Sequence, residues 1–259
     1  MSFSSDTFII ETDGLSLKAT IVPWDTQIFD YPVAQIDQFK IIDDDKSTSD
    51  FMEFESWRDI KQCKLISCRL SHDRICESMF LEAKGFRFVE TVLHPKLKGL
   101  LSLNTLDQGL SIIPATFADL PVLIKIAESA FRNERFHVDP RLDPQIGDLR
   151  YGCWVANTLN HPSQRLLKIL DNEIIVAFFI IEVLDDGHVY WHLTAVSPEH
   201  QGKGYGRRTW LSMLRFHKQN GYDAVSTTIS ARNVSVLNLY SSLNFRFLPP
   251  EMTFHWMSE

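Results

Sequence analysis

Gly202, Gly204 and Gly206 alternate with Lys203 and Tyr205 and run into Arg207 and Arg208. Glycine reaches backbone conformations that let a loop turn tightly and aim several N–H groups at one point. The apolar-periodic segment that follows reads as a helix, and its positive N-terminal end adds to the same field. With Lys203, Arg207 and Arg208 alongside, the stretch is suited to hold a phosphate group. It is not a nucleotide P-loop, because Arg207 follows Gly206 where that motif needs Lys and then Ser or Thr. The G-x-G-x-G spacing also departs from the dinucleotide fingerprint G-x-G-x-x-G.

A second cluster lies downstream. Residues 224–229 (Ala-Val-Ser-Thr-Thr-Ile) alternate, are rich in β-branched side chains, and predict a strand. Asn233, Val236, Leu239, Tyr240, Asn244 and Phe245 follow at helical spacing. Taken together, Gln201-x-x-Gly204-x-Gly206 behind a strand ending Ala195-Val196-Ser197-Pro198, and then Asn233-x-x-x-x-x-Leu239-Tyr240-x-x-x-x-Phe245, resemble the GNAT acyltransferases. In that pattern Ala stands at the place of Val236 and Gly at the place of Asn244. Asn tolerates the left-handed conformation, so Asn244 can still end the helix. The resemblance covers residues 112–259. It implies a GNAT fold (α/β, with a mixed sheet) and acetyl-CoA as acyl-donor co-substrate.

The resemblance also assigns roles. The strand Leu193, Thr194, Ala195, Val196 is expected to offer backbone groups along the pantetheine arm, one N–H reaching the thioester carbonyl. Gln201, Gly202, Lys203, Gly204, Tyr205, Gly206 and Arg207 are expected to hold the pyrophosphate, and Asn233 to touch the pantetheine region. Tyr240 is the expected proton donor to the departing thiolate, since a phenol of pKa near 10 stays protonated at neutral pH. For the general base Glu182, His192, His137 and an ordered water chain all stand open. Phe131, Arg132 and His137, with Tyr151, are the expected acceptor-side residues; Trp24, Arg141 and Arg150 are alternatives.

These groups need a scaffold, and the chain supplies a legible one. Residues 112–114 read as a strand, followed by Thr116 as an N-cap and Pro121 in a first helical turn. Leu120, Leu123, Ile124, Ala127 and Ala130 recur at helical spacing. A second helix is expected over 146–159, then strands over 166–170, 174–184 and 188–196. Asp185, Asp186 and Gly187 form the turn between the last two. A helix, a strand, a helix and two short strands complete the expected order.

The first part of the chain repeats part of this plan. Residues 80–89 (Phe-Leu-Glu-Ala-Lys-Gly-Phe-Arg-Phe-Val) line up with 239–248 (Leu-Tyr-Ser-Ser-Leu-Asn-Phe-Arg-Phe-Leu). A strand-like segment follows each. Leu81 occupies the place of Tyr240, and no glycine-rich loop precedes it. The expectation is a degenerate, partial GNAT-like domain over 1–105 and a catalytic domain over 110–259, with 100–106 as a strand or linker. Residues 22–36 and 131–140 are further similar to the dTDP-fucosamine acetyltransferases, a two-part GNAT subfamily. That similarity implies an amine on a nucleotide-linked sugar as acceptor.

Composition narrows the classes. The 259 residues carry a net charge of −7 and are 44% hydrophobic. That balance argues against a nucleic-acid or anionic-membrane binder. No apolar run approaches the ~18 residues of a membrane span, and the first residues lack a signal peptide's basic and apolar regions. Cys63, Cys68, Cys76 and Cys153 lack Cys-x-x-Cys spacing, so reduced thiols, a cytoplasmic location and no metal are expected. The expected partner is a small-molecule amine, with a homodimer left open. Two alternatives stand beside this reading: an N-acetyltransferase acting on protein amines, and a non-catalytic acyl-CoA-binding module.

Overall fold

The computed structural model describes residues 6–104 and 108–258. Residue 105, the expected end of the first domain, and residues 1–5, where a signal peptide was judged absent, lie outside the described residues. The chain divides into two compact units, Met1–Val92 with Pro249–Glu259, and Leu93–Leu248.

In the first half of the chain the order is β1 (Thr7–Glu11), β2 (Leu15–Ile21), α1 (Pro23–Phe29), β3 (Val33–Ile41), α2 (Asp44–Ile60), β4 (Leu65–Ser71), α3 (Ile75–Ala83) and β5 (Arg87–Lys98), which passes into the second unit after Val92. The β1, β2 and β3 strands are antiparallel, and β3 runs parallel to β4. Side chains on β2 at alternate positions Leu15, Leu17 and Ala19 are fully buried, as a strand with one covered face requires. They meet Phe51 and Phe54 of α2, Leu81 of α3 and Phe86 in one apolar core.

The second unit begins with β6 (Ser111–Pro114), α4 (Leu120–Ala130), the short α5 (Arg135–Val138) and α6 (Pro144–Thr158). Three antiparallel strands follow, β7 (Gln164–Asp171), β8 (Ile174–Val183) and β9 (Val189–Val196). Next come α7 (Tyr205–Gln219), β10 (Ala224–Thr227), β11 (Ile229–Ser230), α8 (Val234–Ser242) and β12 (Arg246–Met257), which belongs to the first unit from Pro249 on. The β8 strand is buried over Val176–Ile181 because both its faces are covered. One face carries Phe179 into a core with Trp191, Trp210, Tyr240 and Phe245. The other carries Phe178 and Ile180 against Leu123 of α4 and Val155 of α6.

The last strand of each half is exchanged. β12 pairs antiparallel with β4, matching Thr253 to Arg69, whereas the far end of β5 pairs with β10, matching Leu97 to Val225. The units are therefore not the contiguous segments 1–105 and 110–259. Three smaller corrections follow. The strand expected over 224–229 breaks at Thr228, and the two short strands expected after α8 are one strand, β12. Pro249 and Pro250 lack the N–H a ladder uses, and the chain remains extended through them. Of residues 100–106, Leu100–Ser102 form a single 3₁₀ turn, and 105–106 lie outside the described residues.

The repeat seen in the sequence has a matching geometry. Gly85 ends α3 at φ 86° and Asn244 ends α8 at φ 62°. The Phe86 N–H donates to Leu81 O at 2.9 Å, and the Phe245 N–H donates to Tyr240 O at 3.1 Å. At the other end of the second unit, Thr116, expected as an N-cap, forms a capping box with Asp119 around the 3₁₀ turn that leads into α4.

Candidate functional site

The site begins where two parallel strands part. Residues Val189–Trp191 of β9 pair with Val225–Thr227 of β10, and the paired register stops there. β9 continues to Val196 beyond that point. His192 is an extra residue in its ladder with β8, because Ile181 pairs with Trp191 and Ile180 with Leu193. Such a bulge turns the strand that follows. Leu193 and Ala195 consequently face the α4–α6 core, while Thr194 faces Tyr240 on the α7–α8 side.

A cavity of about 540 Å³ opens along this stretch of β9. Its walls are Thr194, Ala195 and Val196; the loop residues Gln201, Gly202, Gly204, Gly206 and Arg207; and Asn233 at the start of α8. Phe131 closes one side. The volume is in the range of small-ligand sites. Ten of the residues singled out in the sequence are thus brought to one place. Trp210, Ser235, Val236 and Leu239 also line it. Trp210 lies one helical turn beyond Gly206, so the 3.6-residue period of α7 carried its signal.

The loop has an anion-binding geometry. Gly202 and Gly204 hold φ of 71° and 83°, and a Cβ built at either meets nothing within 4 Å. Gly204 caps α7 without a side-chain hydrogen bond, so the first N–H groups of that helix are left for another acceptor. The Gln201 Nε2 donates to Val196 O at 3.0 Å and ties the loop to its strand. Arg207 lies in the cavity wall and donates to Ser242 Oγ at 2.9 Å. Lys203 is exposed. Arg208 is differently engaged, paired with Asp171 at 3.1 Å. Asn233 Oδ1 accepts the Val236 N–H at 3.3 Å, which makes it the N-cap of α8.

Tyr240 is fully buried, with its ring 4.8 Å from that of Phe245 and 6.2 Å from that of Trp210. Burial pushes its phenol well above the ordinary tyrosine range, and the side chains nearest the hydroxyl are those of Trp210, Thr227 and Thr194. Among the described residues, neither Tyr240 Oη nor Trp210 Nε1 has a partner at good hydrogen-bond geometry. A buried donor left unmade costs about 1–3 kcal/mol. Thr194 and Trp210 both line the cavity, so these two donors lie at or just behind its wall. A ligand with acceptor atoms at that end and a diphosphate at the glycine end fits both features, and acetyl-CoA is such a ligand.

Of the candidate bases, two are joined. His192 Nε2 and Glu182 Oε2 are 2.7 Å apart. Burial holds His192 below the usual imidazole range despite the facing carboxylate, while hydrogen bonds from Ser163 and then His192 hold Glu182 below its own. At neutral pH the pair is a neutral imidazole against a carboxylate. The Tyr190 ring meets the His192 ring edge-on at 4.8 Å.

The third candidate base and the acceptor-side residues are placed otherwise. His137 Nε2 lies 2.9 Å from Asp148 Oδ1, and its ring stacks on Tyr151 at 5.8 Å. Arg132 pairs with the same Asp148. Phe131 stacks on Tyr151 at 4.5 Å and is the one of the three expected acceptor residues in the cavity wall. The Arg141 guanidinium donates to both Asp139 carboxylate oxygens, and Arg150 lies over the Phe136 ring. Among the described residues no cluster of His, Cys, Asp and Glu has the makings of a metal site, and no helix is long and apolar enough to cross a membrane.

The comparisons with known proteins agree with this geometry. Residues 123–245 match the acetyltransferase (GNAT) family. No curated protein matches the chain. Among solved structures the chain is similar to a conserved protein of unknown function from Staphylococcus epidermidis, at TM-score 0.69 and 11% identity, covering 99% of this chain and 96% of that one. It is similar to a GCN5-related N-acetyltransferase from Sphaerobacter thermophilus, at TM-score 0.65 and 11% identity over 93% and 76% of the two chains. A tandem GNAT protein from the clavulanic acid biosynthesis pathway aligns at TM-score 0.64 and 10% identity, over 98% and 83%. At such identities the likeness is one of fold. Fold and family match converge: residues 123–245 carry the match to the acetyltransferase (GNAT) family, within a mixed α/β fold shared with the tandem GNAT protein.

Proposed function

We propose that the second unit is an acetyl-CoA-dependent N-acetyltransferase acting on a primary amine of a small molecule. The observation that carries this reading is the cavity itself, with an open glycine-rich helix start in its wall and the Tyr240 hydroxyl buried beside the lining residues Thr194 and Trp210. When bound, acetyl-CoA supplies the acetyl group already activated as a thioester. The N–H groups at the start of α7, with Arg207, hold the diphosphate; Asn233 and the β9 edge line the arm.

His192, backed by Glu182, takes the proton from the incoming amine, and Tyr240 gives one to the leaving sulfur. The two groups flank β9 from opposite faces, so a proton is removed on one side and delivered on the other. The depressed His192 pKa keeps the base unprotonated through neutral pH. Activity is then retained at pH 6.5 and lost as the pH falls through the His192 pKa below it.

The acceptor reading goes one step finer. The likeness of residues 22–36 and 131–140 to the dTDP-fucosamine acetyltransferases supports an amine on a nucleotide-linked sugar. Calorimetric titration with acetyl-CoA tests the donor, and turnover against a panel of nucleotide-linked amino sugars tests the acceptor. Failure to bind millimolar acetyl-CoA overturns the enzymatic reading. Binding with turnover only on peptide amines moves the protein to the protein-modifying class, and binding with no turnover on any amine leaves an acyl-CoA-binding module.

A further inference from the structure

We infer that Asp171, outside the cavity, is a positioning residue that holds the phosphate-binding loop in its open form through Tyr205 and Arg208. The inference rests on the acetyl-CoA reading of the loop. Asp171 ends β7 at a two-residue turn in which Asn172 and Glu173 both have positive φ, 47° and 72°. A turn of that hand matches the twist of the paired strands and delivers the strand end tightly. The Tyr205 hydroxyl donates to Asp171 Oδ2 at 2.8 Å, and Arg208 Nη1 donates to the same oxygen at 3.1 Å. Arg208 Nη2 also donates to Gln108 O at 3.0 Å, and its guanidinium lies 5.0 Å from the Tyr205 ring centre. His200 packs edge-on against the Tyr205 ring at 4.9 Å.

This arrangement answers a problem that the loop creates. Two glycines at positive φ with open space around them give a segment with many accessible conformations, and ordering it only on binding would weaken affinity. Gln201 fastens the strand end of the loop. Asp171 fastens the helix end. Arg208 is thereby a structural cation, and Arg207 is the arginine left facing the ligand. Tyr205, expected in the sequence to touch the pyrophosphate, turns its hydroxyl away to the anchor.

The test begins with the parent protein, titrated with acetyl-CoA by calorimetry. Lack of binding there overturns the donor reading itself, before the anchor is in question. Given parent binding, Asp171→Ala is expected to raise the acetyl-CoA Kd and KM about tenfold, with kcat at saturating donor within about twofold of the parent. Asp171→Asn keeps an acceptor for the Tyr205 hydroxyl and is expected to recover most of the affinity. In the free protein, amide exchange over 197–208 is expected to accelerate in Asp171→Ala and to stay unchanged over β8. Should Asp171→Ala fail to fold, Tyr205→Phe removes only the hydroxyl and is expected to raise Kd about threefold, non-additively with Asp171→Asn. Unchanged Kd and unchanged loop exchange in Asp171→Ala, or in Tyr205→Phe where that variant stands in, would overturn the assignment.

Discussion

The two halves of the chain run through the same elements: three antiparallel strands, a helix, a strand parallel to the third, a second helix and a last strand. They differ at one helix start. Between β3 and α2 lie only Ile42 and Asp43, and the Asp43 side chain accepts the Asp45 N–H at 3.0 Å. Asp44 and Asp45 add two more carboxylates to that first turn. Between β9 and α7 lie Ser197 to Gly204, with no side-chain cap on the helix and arginines in its first turn. Both helices have a positive N-terminal end. The first satisfies it with its own carboxylates, and the second leaves it for a ligand's anion. On the acetyl-CoA reading proposed above, one topology therefore serves as scaffold in one half and as binding site in the other, according to what fills a helix start.

The sharpest way to break that contrast is to give the second helix the chemistry of the first. Gly204→Glu places a side chain at φ 83° and a carboxylate in the phosphate position. Backbone strain and like-charge repulsion together are expected to weaken acetyl-CoA binding by more than ~100-fold. Asp44→Ala in α2 is expected to leave it unchanged. Calorimetry on both variants decides the point, and tight binding by Gly204→Glu would remove the loop from the site.

The next test exchanges the residues at the matched positions Tyr240 and Leu81. Tyr240→Phe is expected to lower turnover about 100-fold while acetyl-CoA affinity stays within about twofold, as for loss of a general acid. Leu81 is buried without exposure, so Leu81→Tyr is expected to cost about 1–3 kcal/mol by overpacking and to add no activity. Steady-state kinetics with a denaturant series separates the two outcomes. Parent-like turnover in Tyr240→Phe would exclude it as the proton donor.

The long helices also differ in what they bury. α2 carries Phe51 and Phe54 inward; α7 carries His217, which has no exposure and accepts the Trp191 Nε1–H at 2.9 Å. Burial lowers the His217 pKa from 6.5 to about 4. The native state thus binds fewer protons than the unfolded chain between those values, so stability falls as pH drops through that window and changes no further below it. The loss attributable to His217 is about 3 kcal/mol. Thermal melts of His217→Gln, which retains an acceptor but does not titrate there, should show a flatter pH profile; a parallel profile would refute the assignment.

The smallest effects fall at the two helix ends. Asn244→Gly relieves a non-glycine residue at φ 62° and is expected to stabilise by about 0.5 kcal/mol. Gly85→Ala, at φ 86°, is expected to destabilise by about 1 kcal/mol. Opposite signs in urea midpoints confirm that the two turns are the same device built from different residues.

What could be read from the sequence follows from how local the cause is. The phosphate loop was legible because backbone conformation dictates its glycines, and Asn244 because few residues accept its φ. Thr116 as a cap and the α4 stripe followed from short-range signals, and the ten expected site residues that line the cavity were assigned by the resemblance to the GNAT motifs. The exchange of β5 and β12 was not legible, because strand pairing at that distance leaves no local mark. Asp171 was missed for the same reason: its partners Tyr205 and Arg208 are remote in sequence. His137 and Arg132 were drawn to the acceptor side by residue type, but Asp148, on the next helix, fixes where they point.

The exchanged strands bear on how the protein is made. β4 finds its antiparallel neighbour in Glu251–Met257, so the first half emerges from the ribosome with an apolar strand edge uncovered. That edge waits until almost the whole second half has been synthesised. Pairing at such separation is slow, and an open edge is where nascent chains associate wrongly. Covering the β4 edge until residues 251–257 arrive is then expected to raise the yield of folded protein.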